Sequence, residues 1–132
     1  MIWKLMKINQ KKLIYEMKNK IKIYIASAYT IGDVAANVKT QIDVANELMN
    51  MGFNPYVPLY SHFQHMIHPR PYQDWIERDL EWINVCDCLL RIPGKSSGAD
   101  MEVQYATDLN KPVFYSKEEL FSYYEKNKQR SN

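Results

Sequence analysis

The chain has 132 residues, 46% of them apolar and 24% charged, and a formal net charge of +2. That length suits one domain with one core and leaves no room for a second catalytic domain. Lys4, Lys7, Lys11, Lys12, Lys18 and Lys20 supply much of the positive charge ahead of residue 21. No basic stripe follows, which argues against a nucleic-acid partner.

Residues 1–20 read as a basic N-terminal extension, and residues 21–132 as the folded domain. Lysines interrupt the Ile2, Trp3, Leu5, Met6 cluster, unlike a signal-peptide core, and no apolar stretch reaches the roughly 20 residues of a spanning helix. Residues 1–16 have two readings: a leader from an upstream start codon, with Met17 the alternative start, or an amphipathic helix packed on the domain. No membrane partner is expected. Cys86 and Cys88, two apart in an apolar run, would share one face of a strand and read as buried free thiols, which suits a cytoplasmic protein.

The first strand is expected at residues 22–28, rich in β-formers. Asp33 can cap a helix to about Met51, because Val34, Val38, Ile42, Ala45, Leu48 and Met49 recur at helical spacing and Gly52 ends the pattern. Phe53 to Leu59 reads as a second strand. Ser61 to Pro71, with three histidines and two prolines, reads as a loop. A helix should start after Pro71, with Tyr72, Trp75, Ile76, Leu80 and Ile83 on one face.

Cys86 to Ile92 is a mostly apolar run, as a strand covered on both faces requires. The Ser97, Asp100 spacing suits a helix start, and Ala99, Val103, Ala106 and Leu109 give its stripe. Pro112 to Tyr115 makes a last strand, and Ser116 caps a closing helix before a polar tail after Tyr124. Strands alternating with helices imply an α/β fold: a small flavodoxin-like or Rossmann-like three-layer sandwich with a mainly parallel sheet of four or five strands.

In such a sheet ligands gather outside the carboxyl ends of the strands, here Ser27 to Asp33, Pro58 to Tyr72 and Pro93 to Glu102. Gly94, Ser96, Ser97 and Gly98 offer N–H groups and hydroxyls for a phosphate or sugar. Gly94-Lys95-Ser96 is not a P-loop, since Leu89 stands where that motif needs glycine. Glu102 lies beside its own helix's apolar stripe with no Lys or Arg at i±3 or i±4, and Asp79 falls among the apolar positions of the preceding helix. Carboxylates drawn inward concentrate at functional sites, although a dipole-favoured acid and a rim residue would give the same spacing. His62, His65 and His68 are spaced by three, but no acid or cysteine completes a ligand set, so no metal is expected.

The segments Ile23-Tyr-Ile-Ala-Ser-Ala-Tyr-Thr30, Trp75-Ile-Glu-Arg-Asp79-Leu-Glu-Trp82, Cys86-Asp-Cys-Leu-Leu-Arg91, Ser96-Ser-Gly-Ala-Asp-Met-Glu102-Val-Gln-Tyr-Ala106 and Lys111-Pro-Val113 together resemble the nucleoside 2-deoxyribosyltransferase superfamily, over residues 21–116. That superfamily includes 2'-deoxynucleoside 5'-phosphate N-hydrolases. The resemblance implies cleavage of an N-glycosidic bond without a cofactor, with Glu102 as nucleophile, Asp79 positioning or protonating the departing base, and Tyr29 near the nucleophile. It implies that Ser96, Ser97 and Gly98 hold phosphate or sugar hydroxyls, with Ser27 and Asp33 as lesser contacts; His62, placed after the carboxyl end of the second strand, reads as a base- or phosphate-contacting lid residue. Ser96 stands where several transferases carry an acid, which favours a monophosphate substrate and water as acceptor. Related enzymes form homodimers or larger homo-oligomers, so Trp75 and Trp82 read as packing or subunit contacts. The rival reading is a non-catalytic nucleotide-sensing module in the same pocket.

Overall fold

The computed structural model describes residues 2–18 and 20–130. Its elements are α1 (Ile2–Lys18), β1 (Lys22–Ala26), α2 (Val34–Asn50), β2 (Asn54–Tyr56), a 3-10 turn (Pro58–Tyr60), α3 (Ser61–Ile67), α4 (Tyr72–Val85), β3 (Cys88–Arg91), α5 (Ser97–Asp108), β4 (Val113–Phe114) and α6 (Lys117–Arg130). The four strands form one all-parallel sheet in the order β2-β1-β3-β4. This is the expected flavodoxin-like or Rossmann-like α/β fold. The chain steps from β1 to β2 on one side, then crosses back over β1 to reach β3. The switch point therefore lies between β1 and β3, where such sheets open a crevice.

Strand period divides the core into two clusters. Ile23 and Ile25 point to one face, with Ala45 and Leu48 of α2, Cys88, Leu90, Phe114 and Leu120 of α6. Tyr24 and Ala26 point to the other, with Ile83 of α4, Leu89, and Ala99 and Ala106 of α5. The alternation fixes which face Tyr24 serves, and this positions the site described below.

Caps set the helix boundaries. The Asp33 carboxylate accepts from the Ala36 N–H at 2.9 Å, and α2 ends before Gly52, whose φ of +95° relieves the turn of any side chain. The start of α5 is shifted from the Ser97, Asp100 expectation: Ser96 is the cap, its hydroxyl accepting from Ala99 N–H at 3.1 Å. Asp100 instead meets Arg91 at 3.0 Å.

Four further boundaries differ from expectation. The second strand stops at Tyr56, because Pro58 opens a 3-10 turn. Residues 61–67 are helical, and Pro69 and Pro71 bound this helix from outside. Helix α4 runs to Val85, so Cys86 caps it and lies in the cluster opposite to that of Cys88; both thiols are free and buried. The polar residues after Tyr124 continue α6 to Arg130. In α1, Ile2, Trp3, Met6, Ile8, Leu13 and Ile14 are exposed, so these side chains do not pack it on the domain. No described helix is long and apolar enough to cross a membrane.

Leu48 is fully buried between α2 and the sheet. Leu48→Ala should lower unfolding free energy by about 2–5 kcal/mol in urea titrations at an unchanged slope; a loss below about 1 kcal/mol would contradict this packing.

Candidate functional site

The loops after β1, β2 and β3 and the facing ends of α4 and α5 enclose a cavity of about 540 Å³ above the switch point. Its β1 side is held from beneath by Gln41, a buried residue of α2. The Gln41 amide donates to the Ile25 carbonyl at 3.2 Å and to Ser27 Oγ at 2.8 Å, and its oxygen accepts from Leu59 N–H at 3.2 Å. One side chain thus ties the end of β1 to the turn after β2. Asn37 donates to the carbonyls of Tyr29 and Ile31, both at 2.9 Å, fixing the intervening loop. Tyr29 lines the cavity, and its hydroxyl is hydrogen-bonded to Nδ1 of His62 at 2.6 Å.

The acidic end of the cavity is built from three elements. Asp79 comes from α4, Glu102 from α5 and Tyr24 from β1. Tyr24 is fully buried, and its hydroxyl donates to Glu102 Oε2. Asp79 Oδ1 is buried without a hydrogen-bond partner. Burial raises the Glu102 carboxyl to about 8, opposed by the Tyr24 hydrogen bond, reinforced by Asp79 and opposed by Arg91. Burial likewise raises Asp79 to about 7 against the pull of Arg78 and Tyr24. The Tyr24 hydroxyl is raised well above its ordinary value, by burial first and then by the two carboxylates. These two acids titrate as a pair, because each negative charge disfavours the other in a site poor in water. Each acid is drawn down by Tyr24 and by one arginine, Arg91 for Glu102 and Arg78 for Asp79, and burial outweighs both.

Arg91 is a buried cation at the end of β3, on the Tyr24 face by strand period. Its guanidinium donates to the carbonyls of Ile92 and Gly94 and to Asp100, which shapes the loop entering α5. Ser96, Ser97 and Gly98 at that entrance line the cavity opposite Trp75 and Ile76 of α4.

Residues 21–116 match the family model of DUF7768, a domain of unknown function. The chain belongs to the DUF7768 family. No curated protein matches it.

Of the residues singled out in the sequence, this DUF7768 domain gathers Glu102, Asp79, Tyr29, Ser27, Ser96, Ser97 and Gly98 around one cavity. Asp33 does not join them: it is exposed, and its carboxylate is committed to the α2 cap. His62 is not among the lining residues and reaches the site only through Tyr29. Among the described residues, no three or more His, Cys, Asp or Glu side chains gather as a metal-ion site. Sequence reasoning missed Tyr24, Gln41, Arg70, His65 and Arg91. A core strand tyrosine and a glutamine in a helix carry no local signal of their partners; Arg91, a charge inside an apolar strand, did carry one.

A carboxyl whose proton is held more tightly folded than unfolded favours the fold below the unfolded value, and that contribution is lost as pH rises through the folded one. Glu102→Gln retains an acceptor for Tyr24 and removes the ionisation. Its stability should match wild type near pH 4 and exceed it by on the order of 2 kcal/mol near pH 9 in urea titrations at each pH. Equal stability at pH 9 would show that Glu102 ionises freely in the fold.

Proposed function

We propose that this DUF7768 domain cleaves the N-glycosidic bond of a nucleoside or deoxynucleoside, or of its 5'-monophosphate, with Glu102 as nucleophile. The observation that carries the proposal is the convergence of two buried, raised carboxyls and the Tyr24 hydroxyl at a switch-point cavity. The resemblance of the surrounding segments to deoxyribosyltransferases supports it.

In the proposed reaction an oxygen of Glu102 attacks the anomeric carbon as the C–N bond breaks. The bonding pair leaves on the base nitrogen, which Asp79 protonates. Positive charge on the sugar ring is met by the Glu102 carboxylate, whose anionic form Tyr24 and Arg91 favour against its burial. Water, or a second base, then displaces Glu102 from the same carbon and restores the pair. This chemistry needs no cofactor. Tyr29 flanks the sugar. Ser27 from the β1 loop, with Ser96, Ser97 and Gly98 at the α5 N-terminus, receives hydroxyls or a phosphate, and Arg70 supplies a cation on the cavity wall. Tyr72 and Ile31, exposed at the rim, suit a homodimer or larger assembly that closes the cavity, and the two buried free thiols suit a cytoplasmic setting.

Wild-type protein incubated with deoxynucleosides and their 5'-monophosphates should release free base, followed by chromatography, and Glu102→Gln should lose on the order of 10³-fold or more of that activity. Equal release by both proteins would remove Glu102 from the reaction. Tight monophosphate binding with no release would favour a sensing module.

The pair must hold one proton, so kcat/KM should be bell-shaped with its maximum between about pH 7 and pH 8. Residual activity of Asp79→Asn should lack the alkaline limb. A profile flat from pH 5 to pH 9 would contradict proton sharing.

A further inference from the structure

The wall of the cavity opposite the α5 entrance contains an interaction that the proposed chemistry does not use. His65 of α3 lines the cavity, and its Nδ1 accepts two hydrogen bonds, from Trp75 Nε1–H of α4 at 3.0 Å and from Arg70 N–H of the intervening turn at 3.2 Å. The two rings meet edge to face, with centroids 5.8 Å apart. Trp75 and Arg70 also line the cavity. A single imidazole nitrogen therefore joins α3, the turn at residues 68–71 and the first turns of α4 at the face they present to a ligand.

Helix α3 has little else to hold it in place. None of its residues is buried, and Phe63, Met66 and Ile67 are exposed. Its side-chain ties to the rest of the domain include Tyr29 with His62 and Arg78 donating to Gln64 at 3.0 Å. An imidazole nitrogen accepts only while it carries no proton, so both bonds require neutral His65 with its hydrogen on Nε2.

We propose that His65 is the positioning residue of the cavity's aromatic wall, its Nδ1 holding Trp75 and the Arg70 turn in their ligand-facing arrangement. Resting on the reading of the cavity as a nucleoside or nucleotide site, the wall is where the flat base lies, against Trp75. Asp74 of α4 is paired with Arg70 at 3.0 Å, and Arg78 lies over the Trp75 ring at 5.8 Å, so both groups that His65 binds are also held from α4.

The test follows the Trp75 indole in the full-length, nitrogen-15-labelled protein by two-dimensional NMR, its signal assigned with Trp75→Phe. The indole proton should lie downfield of those of Trp3 and Trp82. In His65→Asn the amide oxygen can stand in for Nδ1, so the downfield signal should persist. In His65→Leu it should be absent. A downfield signal kept in His65→Leu, or lost in His65→Asn, would overturn the proposal, and the second result does not depend on His65→Leu folding. With a nucleoside 5'-monophosphate, KM should rise about tenfold in His65→Leu and less than about twofold in His65→Asn. Failure to turn over any nucleoside or nucleotide would dispose of the glycosidase reading, and the NMR comparison would then decide the role of His65 by itself.

Discussion

A tyrosine hydroxyl held inside the core sets the chemistry of this domain. Tyr24 sits in the central strand β1, its ring is fully buried, and strand period aims it at the face covered by α4 and α5. Its hydroxyl cannot reach bulk water, so a partner is required, and Glu102 provides one. That bond draws the Glu102 carboxylate inward against the cost of burying it, and Asp79 on the neighbouring helix then enters the same field. Neither acid is well placed to ionise alone. Together they form a buried pair, both raised above the ordinary carboxyl range, beside a cavity.

The rest of the fold supplies the rigid surround that such a device needs. The crossover between β2 and β3 brings α4 over β1 and opens the crevice at the switch point. Gln41 locks the strand ends beneath it, Asn37 fixes the loop that carries Tyr29, and Arg91 shapes the entrance of α5 from below. These groups are polar, and each is satisfied mainly through backbone carbonyls or N–H groups. Their shared effect is to settle loop conformations before a ligand arrives, which lowers the ordering cost of binding. The α3 segment differs, because it rests on a few side-chain bonds and leaves its apolar residues exposed.

Much of this was legible in the sequence because it rests on periodicity. Helical spacing drew Asp79 and Glu102 inward, and alternation of strands with helices implied the parallel sheet. What was not legible depends on contacts remote in sequence. Tyr24 and Glu102 are 78 residues apart, and nothing local marks a strand tyrosine as the partner of a helix acid. The α3 helix was masked by histidines and flanking prolines, whose effect falls outside the helix. Asp33 was drawn into the site by its place after β1, yet a free α2 terminus one residue away claimed its carboxylate. Ser96 displaced Ser97 as the cap for a comparable reason, since one serine closes the turn and its neighbour is left facing the cavity. Cys86 and Cys88 parted to opposite faces because Cys86 caps α4 and the strand begins only at Cys88.

Carbon-13 NMR titration of the side-chain carboxyls, assigned with Glu102→Gln and Asp79→Asn, tests the central claim most directly. The two carbons should titrate far above the ordinary carboxyl range, each responding to the other's ionisation, and each single substitution should shift the remaining acid downward as its charged neighbour is lost. Independent titration of both near pH 4 would contradict the account, since carboxyls that ionise separately and easily are not held together under a buried tyrosine.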